Sequence, residues 1–239
     1  MTSATQPSLA ALVARTAERT TRVLDRRDGP YGEIVLRQRG ESPDEVYEII
    51  ANGCFLMDTA DGRSERLLVR AALDAAAVPR PAVLIGGLGA GFSLAEAAAD
   101  PAPARITVLE REAAVVDWHS GPLARFSAGA LDDPRTEVVA ADLLDQLRGT
   151  TDHWDVVCLD IDNGPDWTVT DANGGLYGFA GLTVLQRVLA PSGVLAVWSA
   201  APAPEFEERL RARFQQVRQL DVHVERGAPD VVYLASRVK

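Results

Sequence analysis

The chain has 239 residues, of which 47% are hydrophobic, and its formal net charge is -10 at pH 7. This composition excludes a disordered chain and fits one domain, or one domain with a small appendage. The negative charge argues against a nucleic-acid partner, because such a partner requires a surface that neutralises phosphates. No segment approaches the roughly 20 continuous apolar residues of a transmembrane helix. Together with two distant cysteines, Cys54 and Cys158, this predicts a cytoplasmic protein with no membrane partner.

The first thirty residues are rich in Ser, Thr, Ala and Arg, as a transit peptide is. Helical spacing is nevertheless kept by Leu9, Leu12, Val13, Thr16 and Thr20. This spacing favours an amphipathic helix that packs on the protein or faces a partner. Three short extended segments follow, EIVLRQ, EVYEII and CFLMDT, separated by Gly, Pro and Asn turn signals. We therefore predict a first domain over residues 1–63, with a helix and a small β-meander, and a second over residues 64–239.

From residue 64 onward, helical and strand-like segments alternate. A helical pattern covers residues 64–77, with one apolar face formed by Leu67, Leu68, Ala71 and Ala72. Five apolar runs follow at intervals: AVLIG, ITVLE, TEVVA, DVVCLD and GVLAVWS. Such alternation predicts a parallel sheet that is buried on both faces. Two further strand-like runs, VRQLDVHVE and PDVVYLASR, are joined by a connection too short for a crossover, so these two strands must be antiparallel neighbours. We therefore expect an α/β fold with a seven-stranded, mostly parallel sheet and an antiparallel last strand.

The first of these strands runs into the sequence GGLGAGFS, which contains Gly86, Gly87, Gly89 and Gly91. Glycines after a first strand let the backbone approach a ligand closely and leave amide groups of a helix N-terminus facing it. Nicotinamide, flavin and adenosyl-sulfonium sites all use such a turn. The dinucleotide fingerprint places its third glycine where this chain has Phe92, so a nicotinamide oxidoreductase is disfavoured.

Carboxylates follow the next two predicted strands. Glu110 ends the second strand about 20 residues after the glycine turn, where it could accept both hydroxyl protons of a ribose. The alternative for Glu110 is a solvated acid. Asp142 follows the third strand, where it could accept a hydrogen bond from an adenine amino group, cap the next helix, or do both. Two acids after consecutive strands suit a nucleoside better than a dinucleotide.

The fourth strand ends in VVCLDIDNGPDW, which contains Asp160, Asp162 and Asp166. Crowded carboxylates repel one another and cost free energy to desolvate, so stability alone does not explain them. A carboxylate at a strand end can attract a protonated amine, receive or relay its proton and orient the nitrogen lone pair. The three histidines are scattered without metal-ligand spacing, so we predict no metal site.

Together these motifs resemble the spermidine synthase (polyamine aminopropyltransferase) family, a branch of the class I S-adenosylmethionine-dependent transferases. The resemblance is carried by VLIGGLGAG, VLERE, DDPRTEVVAADLLDQL, WDVVCLDIDNGPDW and GLYGFAGLTVLQRVLAPSGVLAVWS. The segment YEIIANGCFLMDT resembles the small β-domain that precedes the nucleotide-binding sheet in the family. The resemblance implies a Rossmann-like class I methyltransferase fold and a sulfonium donor, either S-adenosylmethionine or its decarboxylated form.

The resemblance also implies a role for each residue of the nucleoside site. The tail of the donor would face Gly86, Gly87 and Gly89. The ribose would be bound by Glu110, and the adenine by Asp142 with Leu143. The family pattern at the fourth strand is an Asp followed three residues later by a second Asp and a Pro, with the substrate amine between the two acids. Asp160 matches the first acid.

The second acid of this pattern falls on Asn163, with Asp162 one residue early and a glycine inserted before Pro165. We therefore predict Asp160, Asp162 and Asn163 as the catalytic residues. Trp167 and Tyr177 flank the segment TVTDANGG, which resembles the family's substrate lid, and Asp166 lies beside it. Either ring could shelter a sulfonium or an amine, or could simply pack in the core.

The family carries a Tyr-His-Glu run on the helix before the glycine strand, and this chain has Leu68, Val69 and Arg70 there. A basic residue in place of the acid argues against putrescine as substrate. We expect aminopropyl transfer to another small amine. Two alternatives stay open: methyl transfer from S-adenosylmethionine to a small molecule, and a catalytically silent protein that binds a nucleoside. The oligomeric state also stays open, with a homodimer as one alternative.

Overall fold

The structure, a computed structural model, describes residues 21–168, 171–225 and 227–239, without the side chains of residues 171–173. The chain divides into two compact units, residues 1–60 and residues 61–239. The amphipathic helix that we predict between Leu9 and Thr20 lies outside the described residues.

The first unit is an antiparallel meander with the strand order β1-β2-β3-β4. Its strands are Arg22–Gly29 (β1), Gly32–Arg39 (β2), Val46–Ala51 (β3) and Cys54–Asp58 (β4). The three extended segments predicted from the sequence are β2, β3 and β4. The sequence pattern does not predict β1, because its residues are mostly charged and exposed and show no apolar alternation.

The second unit alternates strands with helices. Its strands are Ala82–Gly86 (β5), Arg105–Glu110 (β6), Thr136–Ala140 (β7), Trp154–Leu159 (β8), Leu189–Ser199 (β9), Phe214–Val222 (β10) and Asp230–Val238 (β11). Its helices are Arg63–Ala75 (α1), Phe92–Ala99 (α2), Ala113–Trp118 (α3), Ala124–Ser127 (α4), Leu143–Gly149 (α5), Asp171–Tyr177 (α6), Phe179–Val188 (α7) and Pro204–Arg213 (α8). Among the helices described, none is both long and apolar enough to span a bilayer.

The seven strands of this unit form one sheet in the order β10-β11-β9-β8-β5-β6-β7. The five strands from β9 to β7 are parallel, and β11 runs antiparallel to both of its neighbours. This confirms the predicted α/β class, with a mostly parallel seven-stranded sheet and an antiparallel last strand. The central strands β5 and β8 are buried along most of their length, as their continuous apolar runs predict.

The parallel strands place the predicted site residues at one edge of the sheet. The carboxyl end of β5 leads into the glycine turn, and β6 ends at Glu110. Asp142 follows β7 closely, and Asp160 follows β8 directly. Because β8, β5, β6 and β7 are neighbours in this order, these residues lie at the same carboxyl edge of the sheet, which is where open α/β sheets bind ligands.

Helix α1 buries a face that only partly matches the predicted one, because Leu68 and Ala72 lie on it but Leu67 and Ala71 do not. Leu67 and Ala71 are only half-buried, whereas Leu68, Val69 and Ala72 are fully buried. The buried face is therefore rotated about the helix axis relative to the face that we predict, so that it includes Val69 in place of Leu67 and Ala71. As a consequence, its buried face also includes two polar residues of its first turn, Ser64 and Glu65.

Candidate active site

The glycine turn between β5 and α2 is fixed by main-chain hydrogen bonds. The amide of Gly87 donates to Leu109 O at 2.9 Å, and the amide of Gly91 donates to Leu88 O at 2.8 Å. Gly87 has a φ of +91°, and a Cβ atom there would lie 2.2 Å from Asp160 O. Glycine is therefore required at position 87 because the turn packs directly against the end of β8.

A buried histidine supports the glycine turn from the segment after α3. His119 is 6% exposed, and its Nε2 lies 3.0 Å from Gly89 O. Because the carbonyl oxygen can only accept, Nε2 carries the hydrogen and donates it. Burial lowers the pKa of His119, against the opposing effect of this hydrogen bond. A neutral imidazole thus fixes the position of Gly89.

Glu110 binds the glycine turn from the end of β6. Its side chain is buried, Oε2 accepts from the amide of Leu88 at 2.9 Å, and Oε1 accepts from the amide of Glu112 at 2.8 Å. Burial raises the pKa of Glu110, and the amide hydrogen bonds oppose that rise. The amides of Leu88, Glu112 and Gly89 use three of the roughly four acceptor sites of this carboxylate, so it can still accept from one ribose hydroxyl.

Asp142 caps the N-terminus of helix α5, which is one of the two roles that the sequence suggests for it. Its Oδ1 accepts from the amide of Asp145 at 3.0 Å. Leu143 follows it and is buried, and a Cβ atom at Gly86 would lie 3.0 Å from Leu143 Cδ2. Leu143 therefore packs over the end of β5, beside the glycine turn, while adenine binding by these two residues stays a prediction.

Asp160 is held from two directions. Its amide donates to Gly86 O at 2.9 Å, and Ser93 Oγ of α2 donates to Asp160 Oδ2 at 2.8 Å. Desolvation raises the pKa of Asp160 to about 6, the Ser93 hydrogen bond opposes this rise, and the charges of Glu110 and Asp230 add to it. Asp160 is therefore a carboxyl group that can accept and release a proton near neutral pH.

Two further acids, Glu65 and Asp230, interact with Asp160. Ser64 Oγ lies 2.9 Å from Glu65 Oε2 and 2.7 Å from Asp230 Oδ2. A hydroxyl has one hydrogen, so it donates to one of these acids, and the other contact requires a protonated carboxyl that donates to Ser64. Burial raises the pKa of Glu65 to about 8, and the charge of Asp160 adds to the rise. We call Glu65, Asp160 and Asp230 the acid cluster; its hydrogen bonds require at least one bound proton.

Serine hydroxyls contact all three members of the acid cluster: Ser93 donates to Asp160, and Ser64 bridges Glu65 and Asp230. Within the described ranges, no group of three or more His, Cys, Asp or Glu residues is arranged to hold a metal ion. The interactions observed within the cluster are hydrogen bonds and charge repulsion.

The turn after β8 carries the other two residues that we predict to be catalytic. Asp162 lies in the left-handed region with a φ of +52°, and Gly164 has a φ of +100°. Asn163 is buried, and its carbonyl oxygen accepts from the amide of Ala200 at 3.1 Å, at the end of β9. The turn is thus fixed to the sheet, while the roles of Asp162 and Asn163 as partners of Asp160 stay predictions.

Tyr177 packs in the core. It is 1% exposed, and its ring makes an edge-to-face contact with Phe206 at a centroid distance of 5.6 Å. Its hydroxyl donates to Ile161 O at 3.1 Å, and burial raises the pKa of Tyr177. These contacts support the packing alternative for Tyr177, which stabilises the turn after β8.

Trp167 and Asp166 lie on the surface. Trp167 is 61% exposed, and Asp166 Oδ1 lies 4.0 Å from a guanidinium nitrogen of Arg209. The segment TVTDANGG, which resembles a lid, includes residues 169 and 170, which lie outside the described ranges. From Asp171 onward the segment is helical and forms α6. Residues 171–175 of the segment are thus helical, and its role as a lid stays a prediction.

The three residues that replace the Tyr-His-Glu run lie in different environments. Leu68 and Val69 are fully buried. Arg70 is exposed, and its Nε donates to Glu96 Oε1 at 2.8 Å. The charge of Arg70 is thus paired at the surface. The basic side chain that argues against putrescine in the sequence is therefore paired with Glu96, and the exclusion of putrescine stays a prediction.

The sequence is similar to polyamine aminopropyltransferases. It is 31% identical over 172 residues to polyamine aminopropyltransferase 1 of Streptomyces coelicolor, a match that covers 71% of this chain and 31% of that protein. It is 30% identical over 179 residues to the polyamine aminopropyltransferase of Mycobacterium tuberculosis, covering 74% of this chain and 32% of that protein. The chain thus spans about a third of the length of these curated relatives. No family model matches the chain.

The fold is similar to that of solved spermidine synthases. A spermidine synthase in complex with the transition state analogue AdoDATO has a TM-score of 0.73 and 20% identity, over 90% of this chain and 74% of that chain. This likeness concerns the fold, and the sequence relatives concern the family. Together they confirm the resemblance seen in the motifs: the chain is similar in sequence to polyamine aminopropyltransferases and in fold to spermidine synthases.

Proposed function

We propose that this protein transfers an aminopropyl group from decarboxylated S-adenosylmethionine to a small amine. The observation that carries the proposal is the position of Asp160. This carboxyl, with its raised pKa, lies at the end of β8 and packs against the glycine turn. The relatives named above are aminopropyltransferases, which supports the same reaction.

The donor half of the site consists of the glycine turn, Glu110, Asp142 and Leu143. We assign the ribose to Glu110, whose carboxylate keeps one of its roughly four acceptor sites beside three main-chain amide donors. We assign the adenine to Asp142 and Leu143, and the tail of the donor to the glycine turn.

The acceptor half of the site is the acid cluster. An amine is mostly protonated at pH 7 and must lose a proton before its lone pair can attack. Asp160 accepts that proton. The nitrogen then attacks the aminopropyl carbon bonded to the sulfonium, a C–N bond forms as the C–S bond breaks, and the electron pair goes to sulfur. Methylthioadenosine leaves, and the product ammonium keeps or releases its remaining extra proton.

The acid cluster also selects the charge of the acceptor. The ionised members of the cluster repel an anion and attract a cation, so a protonated amine is drawn to Asp160. Leu68 and Val69 are apolar where a polar run would hold the far end of a diamine. We therefore propose a small amine other than putrescine as the acceptor.

Methyl transfer from intact S-adenosylmethionine is the second candidate. The observation that favours it is the same apolar replacement at Leu68 and Val69, which removes a polyamine contact while the donor half is kept. The two reactions use the same nucleoside and differ in the tail of the donor.

Heat denaturation in the presence of each candidate ligand, one at a time, distinguishes these two reactions. A ligand that binds only the folded state at 100 times its Kd adds about 2.7 kcal/mol, or about 5 to 10 °C for a chain of this size. We expect decarboxylated S-adenosylmethionine and methylthioadenosine to raise the unfolding temperature and NAD to leave it unchanged. Stabilisation by NAD alone would refute the proposal, and stabilisation by the intact donor alone would favour methyl transfer.

A further inference from the structure

Ser93 is the feature of this site that the family resemblance leaves without a role. It is the second residue of α2 and is 1% exposed. Its Oγ lies 2.8 Å from Asp160 Oδ2 and 3.3 Å from the main-chain oxygen of Glu65. Since a hydroxyl has one hydrogen, the shorter contact to a carboxylate is the one it makes.

The main chain at Asp160 is already fixed, so Ser93 acts on the side chain. The Asp160 amide bonds to Gly86 O, and its carbonyl oxygen packs on Gly87 too closely for any Cβ atom there. With the main chain held, the Asp160 side chain can change only by rotation about its own bonds. The hydrogen bond from Ser93 fixes that rotation by holding Oδ2.

We infer that Ser93 is a positioning residue, whose hydroxyl holds Asp160 Oδ2 so that Oδ1 meets the acceptor amine. The inference rests on the proposed function for its catalytic part. Burial disfavours the charged form of Asp160, and the charges of Glu110 and Asp230 add to this effect. Ser93 opposes them, because a hydrogen bond donated to a carboxylate stabilises the ion.

The first test follows the titration of Asp160 and needs no activity. The carbon-13 shift of its carboxyl carbon, assigned with Asp160→Asn, is recorded against pH in the wild type and in Ser93→Ala. Loss of a hydrogen bond to a charged group raises the pKa of Asp160 by about 1 to 2 pH units. Ser127→Ala is the matched control, because Ser127 is also buried but bonds only within its own helix turn, to Ala124 O. An unchanged midpoint in Ser93→Ala would overturn the inference.

The second test is a double-mutant cycle on turnover. Ser93→Ala alone should lower kcat by about 10- to 100-fold, the cost of a misplaced catalytic group, and should move the acid limb of the pH profile to higher pH. In the Asp160→Asn background, removing the hydroxyl should cost no more than about 2-fold, since Ser93 then has no carboxylate to hold. An equal loss in both backgrounds would overturn the positioning role. A protein inactive with every donor would refute the proposed function instead, and the titration would still decide whether Ser93 holds Asp160.

Discussion

The donor half and the acceptor half of the site are built in different ways. The donor half comes from the ends of three strands that follow one another in the chain, β5, β6 and β7, and much of its hydrogen bonding uses main-chain amides. The acceptor half brings together residues 65, 93, 160 and 230, from two helices and two strands, and uses side chains. A motif can therefore describe the first half, whereas only the folded chain assembles the second.

This difference predicts different consequences of mutation in the two halves. Changes in the donor half should alter nucleoside affinity, because we propose that its groups contact the ligand or the turn that binds it. Changes in the acceptor half should alter turnover and the pH dependence of stability, because its groups are buried or partly buried acids that we propose to exchange protons. The following variants test this separation, beginning with the largest expected effect.

Asp160→Asn should show the largest effect on turnover. It keeps the size of the side chain and one acceptor but removes the charge that takes the proton, so turnover should fall by about 10²- to 10⁴-fold. Nucleoside affinity should change little. Asp166→Asn is the matched control, since Asp166 is exposed and lies beyond Pro165. Full turnover in a folded, nucleoside-binding Asp160→Asn protein would rule out the proposed role.

Glu110→Ala should affect affinity instead. Losing hydrogen bonds to this charged group should weaken methylthioadenosine binding by about 1.5 to 3 kcal/mol, measured by calorimetry. Glu137→Ala serves as the control, because Glu137 is an exposed acid on the neighbouring strand β7. If Glu110→Ala binds the nucleoside as tightly as the wild type, the ribose lies elsewhere.

Glu65→Gln should change how stability depends on pH. Native Glu65 keeps its proton up to about pH 8, whereas an unfolded chain loses it near pH 4.3, about its ordinary pKa. Between these values the unfolded state binds fewer protons, so the free energy of unfolding of the wild type falls as pH rises. Glutamine resembles the protonated acid and cannot ionise, so it removes this loss.

The measurement is the unfolding temperature of Glu65→Gln relative to the wild type at about pH 5 and about pH 8. The difference should increase in favour of the variant by at least about 2 to 4 °C, which corresponds to about 1 kcal/mol. Asp74→Asn, an exposed acid on the same helix, should show a constant difference. A constant difference for Glu65→Gln as well would mean that native Glu65 is ionised throughout.

Asp142 should show the smallest effect. Asp142→Ala removes the side chain that caps α5 and should cost about 1 kcal/mol of stability, whereas Asp142→Asn keeps an acceptor for the amide of Asp145 and should cost only a few tenths. Thermal unfolding of both variants measures this. Equal stability of the alanine and asparagine variants would show that the cap contributes little.

Much of the fold could be predicted because its strands are buried on both faces. Short continuous apolar runs such as AVLIG and VVCL, separated by helical segments, are typical of strands in a parallel sheet that is covered on both faces. Strand β1 could not be predicted, since its charged residues are exposed and its pairing with β2 leaves no apolar pattern. The positions of Glu110 and Asp142 at one edge of the sheet could be predicted because each ends or follows a recognisable strand, whereas nucleoside binding by them stays a prediction.

The acid cluster was only partly visible in the sequence. Asp160 stands out at the end of an apolar run, whereas Asp230 is a single acid at the start of a strand. Glu65 did carry a signal, because it lies three, four and seven residues before Leu68, Val69 and Ala72, the buried face of α1. Choosing the face through Leu67 and Ala71 hides this signal. Which acids meet across the sheet depends on strand order, which no local pattern specifies.

The most direct test of the proposed reaction identifies its products. The protein is incubated with decarboxylated S-adenosylmethionine and a panel of small amines that includes putrescine, and the products are identified by mass spectrometry. We predict methylthioadenosine and an aminopropylated amine in equal amounts, with putrescine a poor acceptor. Methylated product and S-adenosylhomocysteine from the intact donor, with no product from the decarboxylated one, would contradict the proposed transfer.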